Sequence, residues 1–195
     1  MNQSVQPMMA KGCLYLICGP SGVGKDSLMA EVMRQLAPLG NWHQPQRHIT
    51  RPADAGGEDH IAVSQAEFVQ RQQQGEYPLN WQAHGLFYGI HRSDLLRLQQ
   101  GTNLLLNVSR TVIEQARQLF PNRRIIYITA RTEVLMQRLA KRGREDMEQQ
   151  AKRLARANSY MPLGEDVWVI DNSGSLELGV RAFKACLHLP MEAMF

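Results

Sequence analysis

Apolar positions along this chain follow two rhythms. The run Cys13-Leu14-Tyr15-Leu16-Ile17-Cys18 is apolar at every position, so a strand built from it has no face suited to water, as in the middle of a parallel sheet. Leu28, Met29, Val32, Met33 and Leu36 then recur at helical spacing, and Pro38 with Gly40 ends that helix. Further apolar runs predict strands at 104–108, 124–129 and 167–170. Val112, Ile113, Ala116 and Leu119 mark one helix between them, and Leu176, Val180, Phe183 and Leu187 mark the last. Strands alternating with helices predict an α/β fold, a parallel sheet flanked by helices.

Two stretches break the alternation. Residues 41–100 hold short, polar, turn-rich pieces, among them Asp54-Ala55-Gly56-Gly57-Glu58-Asp59, and are expected to form a small substrate-binding insert. Residues 138–156 are rich in arginine and carry Gly143 between two helical patterns, which reads as a lid. The expectation is one domain over 1–195, with a core at about 12–40 and 101–190. Residues 1–10 are polar and expected to be a disordered leader. No run approaches the ~20 apolar residues needed to span a bilayer, and no secretory signal pattern opens the chain. A cytoplasmic protein without a membrane partner is expected.

Composition narrows the chemistry. Of 195 residues, 44% are hydrophobic and 21% charged, the balance of an ordinary soluble globular protein. The net charge is +4, and arginines outnumber lysines by more than three to one. The arginine fork matches phosphate oxygens, so the surplus suits a phosphorylated ligand. The arginines are scattered and no aromatic–basic repeat accompanies them, which points away from nucleic acid. Cys13, Cys18 and Cys186 form no CxxC pair and are expected as buried thiols.

The segment Gly19-Pro20-Ser21-Gly22-Val23-Gly24-Lys25 has the spacing of a phosphate-binding loop, between a predicted strand and a predicted helix. Its glycines let successive backbone N–H groups turn inward on phosphate oxygens. The helix start adds the positive end of its dipole, and Lys25 adds a mobile charge for the β/γ-phosphates. Residues Gly19 to Ser27 are therefore the candidate ATP site. Asp26 stands where Ser or Thr usually follows the lysine. A carboxylate facing a triphosphate is repelled unless a cation lies between them, so Asp26 is the candidate Mg²⁺ ligand. The usual second metal carboxylate is missing, because the strand at 104–108 ends in Asn107 and Ser109. That disfavours water activation for simple hydrolysis. Transfer to an acceptor phosphate needs no general base, since that phosphate is already ionised.

Beyond the loop, Ile49-Thr50-Arg51-Pro52, Gly57-Glu58-Asp59-His60, Leu79-Asn80-Trp81 and Phe87-Tyr88-Gly89 resemble the guanylate kinase family in order and spacing. The resemblance runs from about residue 12 to residue 187. It implies that Arg51 and Tyr88 bind the acceptor's phosphate and that Asp59, His60 and Asn80 line the acceptor site. The guanine-reading positions differ. Asn80 replaces a glutamate, Asn107 and Ser109 replace the Asp-x-Asp at the strand end, His60 replaces a tyrosine, and Ala55 or Gly56 falls where a second arginine is expected. Without that carboxylate, guanine's buried donors go unpaired. Among relatives, the chain is most similar to the ribose 1,5-bisphosphate phosphokinase family, which carries the Lys25-Asp26 variant of the loop. The resemblance implies ATP-dependent phosphorylation of the 1-phosphate of ribose 1,5-bisphosphate, giving 5-phospho-α-D-ribosyl 1-diphosphate. The residues alone reach only phosphoryl transfer to a small phosphorylated acceptor.

In the lid, Arg138 and Arg142 are four apart and share a helical face, and Arg153 can share one in a following helix. The resemblance places these arginines over the reacting phosphates, where guanidinium groups stabilise charge on the transferring group. They join Lys25 as the candidate catalytic residues, while Arg144 has no assigned role. Two alternatives stay open: a nucleoside monophosphate kinase, and a non-catalytic guanylate-kinase-like binding module.

Overall fold

The structure, a computed structural model, describes residues 11–55, 59–141 and 161–187. The chain opens with β1 (Leu14–Cys18), every residue of which is buried, and α1 (Lys25–Leu36). A 3₁₀ turn at Ala37–Leu39 stops α1, and Gly40 closes it at φ 73°. Then come β2 (Trp42–His43), β3 (Arg47–Ile49), β4 (His60–Ala62), α2 (Gln65–Gln73), β5 (Leu79–Ala83), β6 (Leu86–Ile90) and α3 (Arg92–Leu96). After these follow β7 (Asn103–Asn107), α4 (Ile113–Leu119), β8 (Arg123–Thr129), α5 (Thr132–Lys141), β9 (Val167–Asp171) and α6 (Leu176–Ala185).

The central sheet has the order β2-β7-β1-β8-β9 and is parallel throughout. The strands expected at 104–108, 124–129 and 167–170 are β7, β8 and β9, within a residue of the expected bounds. β1 lies in the middle, between β7 and β8, so the loop leaving its C-terminal end opens among the ends of its neighbours. In such sheets the crevice outside the carboxyl ends is where ligands bind.

Strand alternation gives the sheet two differently covered faces. Tyr15 and Ile17 turn to the face under α1 and α6, packing with Leu28, Val32, Val180 and Phe183. Leu14, Leu16 and Cys18 turn the other way, and onto that face packs a second sheet through Ile49, Leu79, Trp81, Tyr88 and Ile90. Each leucine so buried contributes about 1.5–3 kcal/mol of transfer free energy, so the second sheet is held by the same core as the first. Its order is β4-β3-β6-β5, with β3 parallel to β4 and antiparallel to β6.

The segment 41–100 is not all insert. Trp42 and His43 pair with Asn103 and Leu104 as an edge strand of the central sheet, and Trp42 packs on Tyr15 with ring centroids 5.2 Å apart. A two-residue strand is too short to show a period, so sequence pattern could not separate it from the loops. The β5–β6 hairpin turns on His84 and Gly85, at φ 52° and 75°, the positive pair of a two-residue hairpin loop. Gly89 leaves room for Tyr77, because a Cβ there would lie 2.7 Å from its ring. His84-Gly85 and Gly89 thus serve the backbone and the packing.

No helix among the described residues is long and apolar enough to cross a membrane. Residues 1–10 and most of the stretch expected as a lid lie outside the described residues.

The return strand β9 is fixed at its start by a charged knot. Arg117 donates from Nε and Nη2 to the two carboxylate oxygens of Asp166, at 3.1 and 2.7 Å, and Arg123 Nε donates to Oδ2 at 3.0 Å. Arg117 Nη2 also reaches the Leu163 carbonyl. These guanidiniums hold the Asp166 carboxyl below the usual carboxylate range, the hydrogen bonds from Arg117 being the largest cause. Asp166→Asn is expected to cost about 1–3 kcal/mol at neutral pH. Because the folded pKa is depressed, the difference from wild type should be full above the ordinary carboxylate range and fade as pH falls through the folded value. Urea unfolding at several pH values measures it, and a pH-independent difference would contradict this account.

Candidate active site

The loop after β1 is shaped by three glycines at positive φ: Gly19 at 145°, Gly22 at 81° and Gly24 at 93°. Side chains disfavour this region. A Cβ at Gly19 would strike the Ile128 carbonyl oxygen of β8, and one at Gly24 would lie 2.7 Å from Asn172 Nδ2. Gly24 precedes α1 with no side-chain cap, so the helix presents its first N–H groups to an anion. Lys25 curls back over the loop, donating from Nζ to the carbonyls of Gly19 and Pro20 at 2.8 Å each. Burial pulls its pKa down to about 8, against the opposing pull of Asp26, while Arg47 and Arg110 push it further down.

Asp26 is exposed at the start of α1 and accepts a hydrogen bond from Asn107 Nδ2 at 2.9 Å. Asn107 ends β7 and stands at the place of the usual second metal carboxylate. A neutral amide can donate to Asp26, whereas a second carboxylate would repel it. The same residue's carbonyl receives Arg47 Nη1 at 2.9 Å. Arg47 in turn lies over the Tyr88 ring, 5.9 Å from its centroid, and Tyr88 stacks on Trp81 at 5.3 Å and 4°. One continuous set of contacts therefore joins Asp26 of the loop to Tyr88 of the insert.

Asn172, just past β9, is 5% exposed and was not singled out by sequence. Its Nδ2 donates to the Val23 carbonyl at 2.8 Å, and Arg138 Nη1 donates to the same oxygen at 3.1 Å. Gly179 of α6 leaves space for the other side of the amide, since a Cβ there would overlap Asn172 Oδ1. Thus Arg138, expected over the phosphates, rests against the loop that would hold them. Arg142 and Arg153 lie outside the described residues, as does Arg144.

The other expected acceptor residues are spread more widely. Arg51 is half-buried after β3, and its carbonyl accepts from His60 Nε2 at 3.2 Å. Asp59 is exposed and receives Gln46 Nε2 at 2.6 Å. Both Asp59 and His60 thereby tie β4 to the chain around β3. Asn80 turns to the face opposite Leu79 and Trp81. Its Nδ2 donates to the Tyr77 carbonyl at 2.8 Å and its Oδ1 accepts from Gln72 of α2 at 2.9 Å. The structure brings Lys25, Asp26 and Tyr88 into one cluster and places Asn80 on the α2 side of its strand. A cavity of about 450 Å³ is lined by Thr50, Arg51, Pro52, Ser64, Gln65 and Phe87 among others. It shares Arg51 with the acceptor set but contains no loop residue, and Phe87 faces away from the Tyr88–Trp81 stack.

Two residues were missed. Arg47 shares a strand face with Ile49, which points into the core, so period-two reading of 47–51 could have marked it. Asn172 is a polar residue at the carboxyl end of a parallel strand, a position that favours ligand sites. The three cysteines are buried and free, with the Cys13 and Cys18 thiols pushed by burial up to about 11 and about 12. They are inert packing groups, as expected.

The site fits a nucleoside triphosphate with Mg²⁺: a loop that a Cβ would fill, an uncapped helix start, one lysine and one exposed carboxylate. Among the described residues no group of three or more His, Cys, Asp or Glu could hold a metal by itself. Mg²⁺ is commonly bound by one or two carboxylates together with substrate phosphates and water.

Residues 11–187 match the family described as guanylate kinase. The ribose 1,5-bisphosphate phosphokinase PhnN of Brucella melitensis is 42% identical over 178 residues, spanning 91% of this chain and 93% of that protein. The protein of the same name from a Ruegeria species is 46% identical over 180 residues, again 91% and 93%. Among solved structures, the guanylate kinase of Anaplasma phagocytophilum superposes with a TM-score of 0.63 at 20% identity, over 91% of this chain and 85% of that one. That last likeness concerns the fold.

Lys25 supplies a test of the loop. Free, it releases its proton near pH 8. Against a triphosphate it must be charged, so the bound pKa is higher. ATP binding should take up a proton above pH 8, and affinity should weaken as pH rises from there towards the ordinary lysine value of about 10.4. Calorimetry at about pH 8.5 in buffers of different ionisation enthalpy reads the uptake. The same uptake in Lys25→Met would assign that proton elsewhere.

Proposed function

This chain belongs to the guanylate kinase family, and from that footing we propose that it transfers the γ-phosphoryl group of ATP to the 1-phosphate of ribose 1,5-bisphosphate. The products are 5-phospho-α-D-ribosyl 1-diphosphate and ADP. Relatives at 42–46% identity over nine-tenths of the chain carry the name ribose 1,5-bisphosphate phosphokinase. The observation on this chain that carries the reading is the carboxamide of Asn107 at the loop end of β7, where Nδ2 donates to Asp26. Reading the donor edge of guanine requires a carboxylate, and an amide there cannot meet two donors with two acceptors. The contacts for phosphate groups are retained at Lys25, Arg51 and Tyr88.

Guanylate-kinase-like kinases in general use ATP and Mg²⁺, and this chain's residues divide the work accordingly. The turned backbone of 19–25 and the start of α1 hold the triphosphate, and Lys25 leaves the loop carbonyls to meet the β/γ-phosphates. Asp26, oriented by Asn107, is the carboxylate for Mg²⁺. The metal, when bound, neutralises charge on the phosphate oxygens. Arg51 and Tyr88 orient the acceptor phosphate, with Asp59 and His60 holding the segment that carries Arg51. An oxygen of the 1-phosphate attacks the γ-phosphorus while the bond to the β–γ bridging oxygen breaks, and ADP leaves. No side chain takes a proton, since the attacking oxygen is already ionised. Arg138, with Arg142 and Arg153, supplies positive charge to the equatorial oxygens of the transferring group. The reading places the enzyme in the cytoplasm, where ATP is available.

Phosphorus NMR with Mg·ATP and either ribose 1,5-bisphosphate or GMP tests the acceptor. A new diphosphate doublet is expected with the sugar; turnover of GMP alone would overturn the assignment. Lys25→Ala should lower kcat by about 10²–10³-fold. Asp26→Ala should raise the Mg²⁺ concentration for half-maximal rate, and an unchanged Mg²⁺ dependence would remove Asp26 as a metal ligand.

A further inference from the structure

We infer that Asn172 is a positioning residue for the nucleotide: by holding the Val23 carbonyl it keeps the Val23–Gly24 peptide turned so that the Gly24 N–H faces the phosphates. This rests on the part of the proposed function that seats a triphosphate in the loop, and not on the choice of acceptor.

The need for such a residue comes from the glycine. In a trans peptide the C=O and the N–H point in opposite directions, so the side on which Val23 turns its carbonyl decides where Gly24 aims its N–H. Gly24 lies at φ 93° and ψ 21°. Turning over the peptide plane that precedes it would carry φ into the negative region, the relation between type II and type I turns. A side chain would strongly disfavour one of these states, whereas glycine adopts both. The glycine that permits the phosphate-ready loop therefore also permits its inverse. In the inverse, a carbonyl oxygen is aimed at the anion and repels it.

Asn172 removes the inverse. Its backbone N–H donates to the Thr129 carbonyl at 2.7 Å, which extends the β8–β9 ladder and fixes the residue beside the loop. From there Nδ2 donates to the Val23 carbonyl at 2.8 Å, in a residue only 5% exposed. Arg138 donates to the same oxygen at 3.1 Å. The proposed function takes that guanidinium to the transferring group, so Asn172 is the donor that stays. The other end of the amide argues against a purely structural role. Oδ1 is buried against Gly179, with Leu28 beside it, and accepts no hydrogen bond among the described residues. An unmet buried acceptor costs stability, and an apolar side chain of similar shape would avoid that cost. An amide that makes one hydrogen bond and leaves its acceptor unmet adds little to folding. Its use lies in where it holds Val23.

Binding of ATP, inorganic tripolyphosphate and adenosine to the wild type and to Asn172→Leu tests this without any acceptor. In Asn172→Leu the Kd of ATP and that of tripolyphosphate should rise together by about 10- to 100-fold, the worth of one hydrogen bond to a charged group. The Kd of adenosine should stay within about threefold, and the melting temperature should be unchanged or higher. At saturating tripolyphosphate the Gly24 amide proton should move downfield in the wild type and much less in the variant. A loss for ATP without one for tripolyphosphate would make Asn172 a contact of the base or sugar, and would overturn the inference. So would equal weakening of adenosine, unchanged constants for both phosphate ligands, or the same Gly24 shift in both proteins. A wild type that binds ATP but makes no diphosphate from ribose 1,5-bisphosphate would overturn the proposed acceptor and leave this inference standing. A wild type that binds neither ATP nor tripolyphosphate would overturn both. If Asn172→Leu shows no cooperative melting, Asn172→Ala is measured in its place, with the same ratios and the same Gly24 signature expected.

Discussion

A phosphate chain carries more negative charge than a few mobile side chains can meet, so backbone N–H groups must be turned towards it and kept turned. In this protein that constraint falls on Gly19, Gly22 and Gly24, whose positive φ values aim the loop inward. The structure around them is built close enough to forbid any other shape. Ile128 of β8 presses on Gly19, and the Asn172 amide stands against Gly24 while holding the Val23 carbonyl. Gly179 of α6 makes room for that amide. The loop is thus gripped by a neighbouring strand, the following strand end and the last helix, elements far apart in sequence. Lys25 and Arg138 both rest on its carbonyls, so the cations wait at the place where phosphate oxygens would arrive.

The acceptor side follows from the two faces of the central sheet. One face is roofed by helices, and the other receives the second sheet through Ile49, Leu79, Trp81, Tyr88 and Ile90. The burial that fixes the second sheet also fixes where Arg47 and Tyr88 stand relative to the loop. At the joint, Asn107 uses its carbonyl for Arg47 and its amide for Asp26. An aspartate could still accept Arg47 through its backbone, but its side chain would repel Asp26. The amide at the end of β7 and the carboxylate after Lys25 are therefore complementary groups.

Much of the fold was legible because its signals are local. Six consecutive apolar residues ending in a glycine-rich loop leave few alternatives to a central strand, and β7, β8 and β9 announce themselves the same way. The insert was legible only as an interruption. β2 has two residues and no period, and the strands of the second sheet are short and half-buried, so their patterns are weak. The His84-Gly85 pair stands just before Phe87-Tyr88-Gly89, which resembles a ligand motif. The first pair makes a hairpin turn and Gly89 accommodates Tyr77, requirements that a one-dimensional pattern cannot distinguish from binding.

The sequence by itself determined the loop, its lysine, the unusual Asp26 and the alternation of strands and helices, because each depends on residues adjacent in the chain. Only the tertiary structure decided which side chains share a site. Arg47 reaches Asn107 across 60 residues, and Asn172 reaches Val23 across 149. Such meetings depend on strand order and register, which are set by how two buried faces pack and leave no mark in the spacing of any one segment.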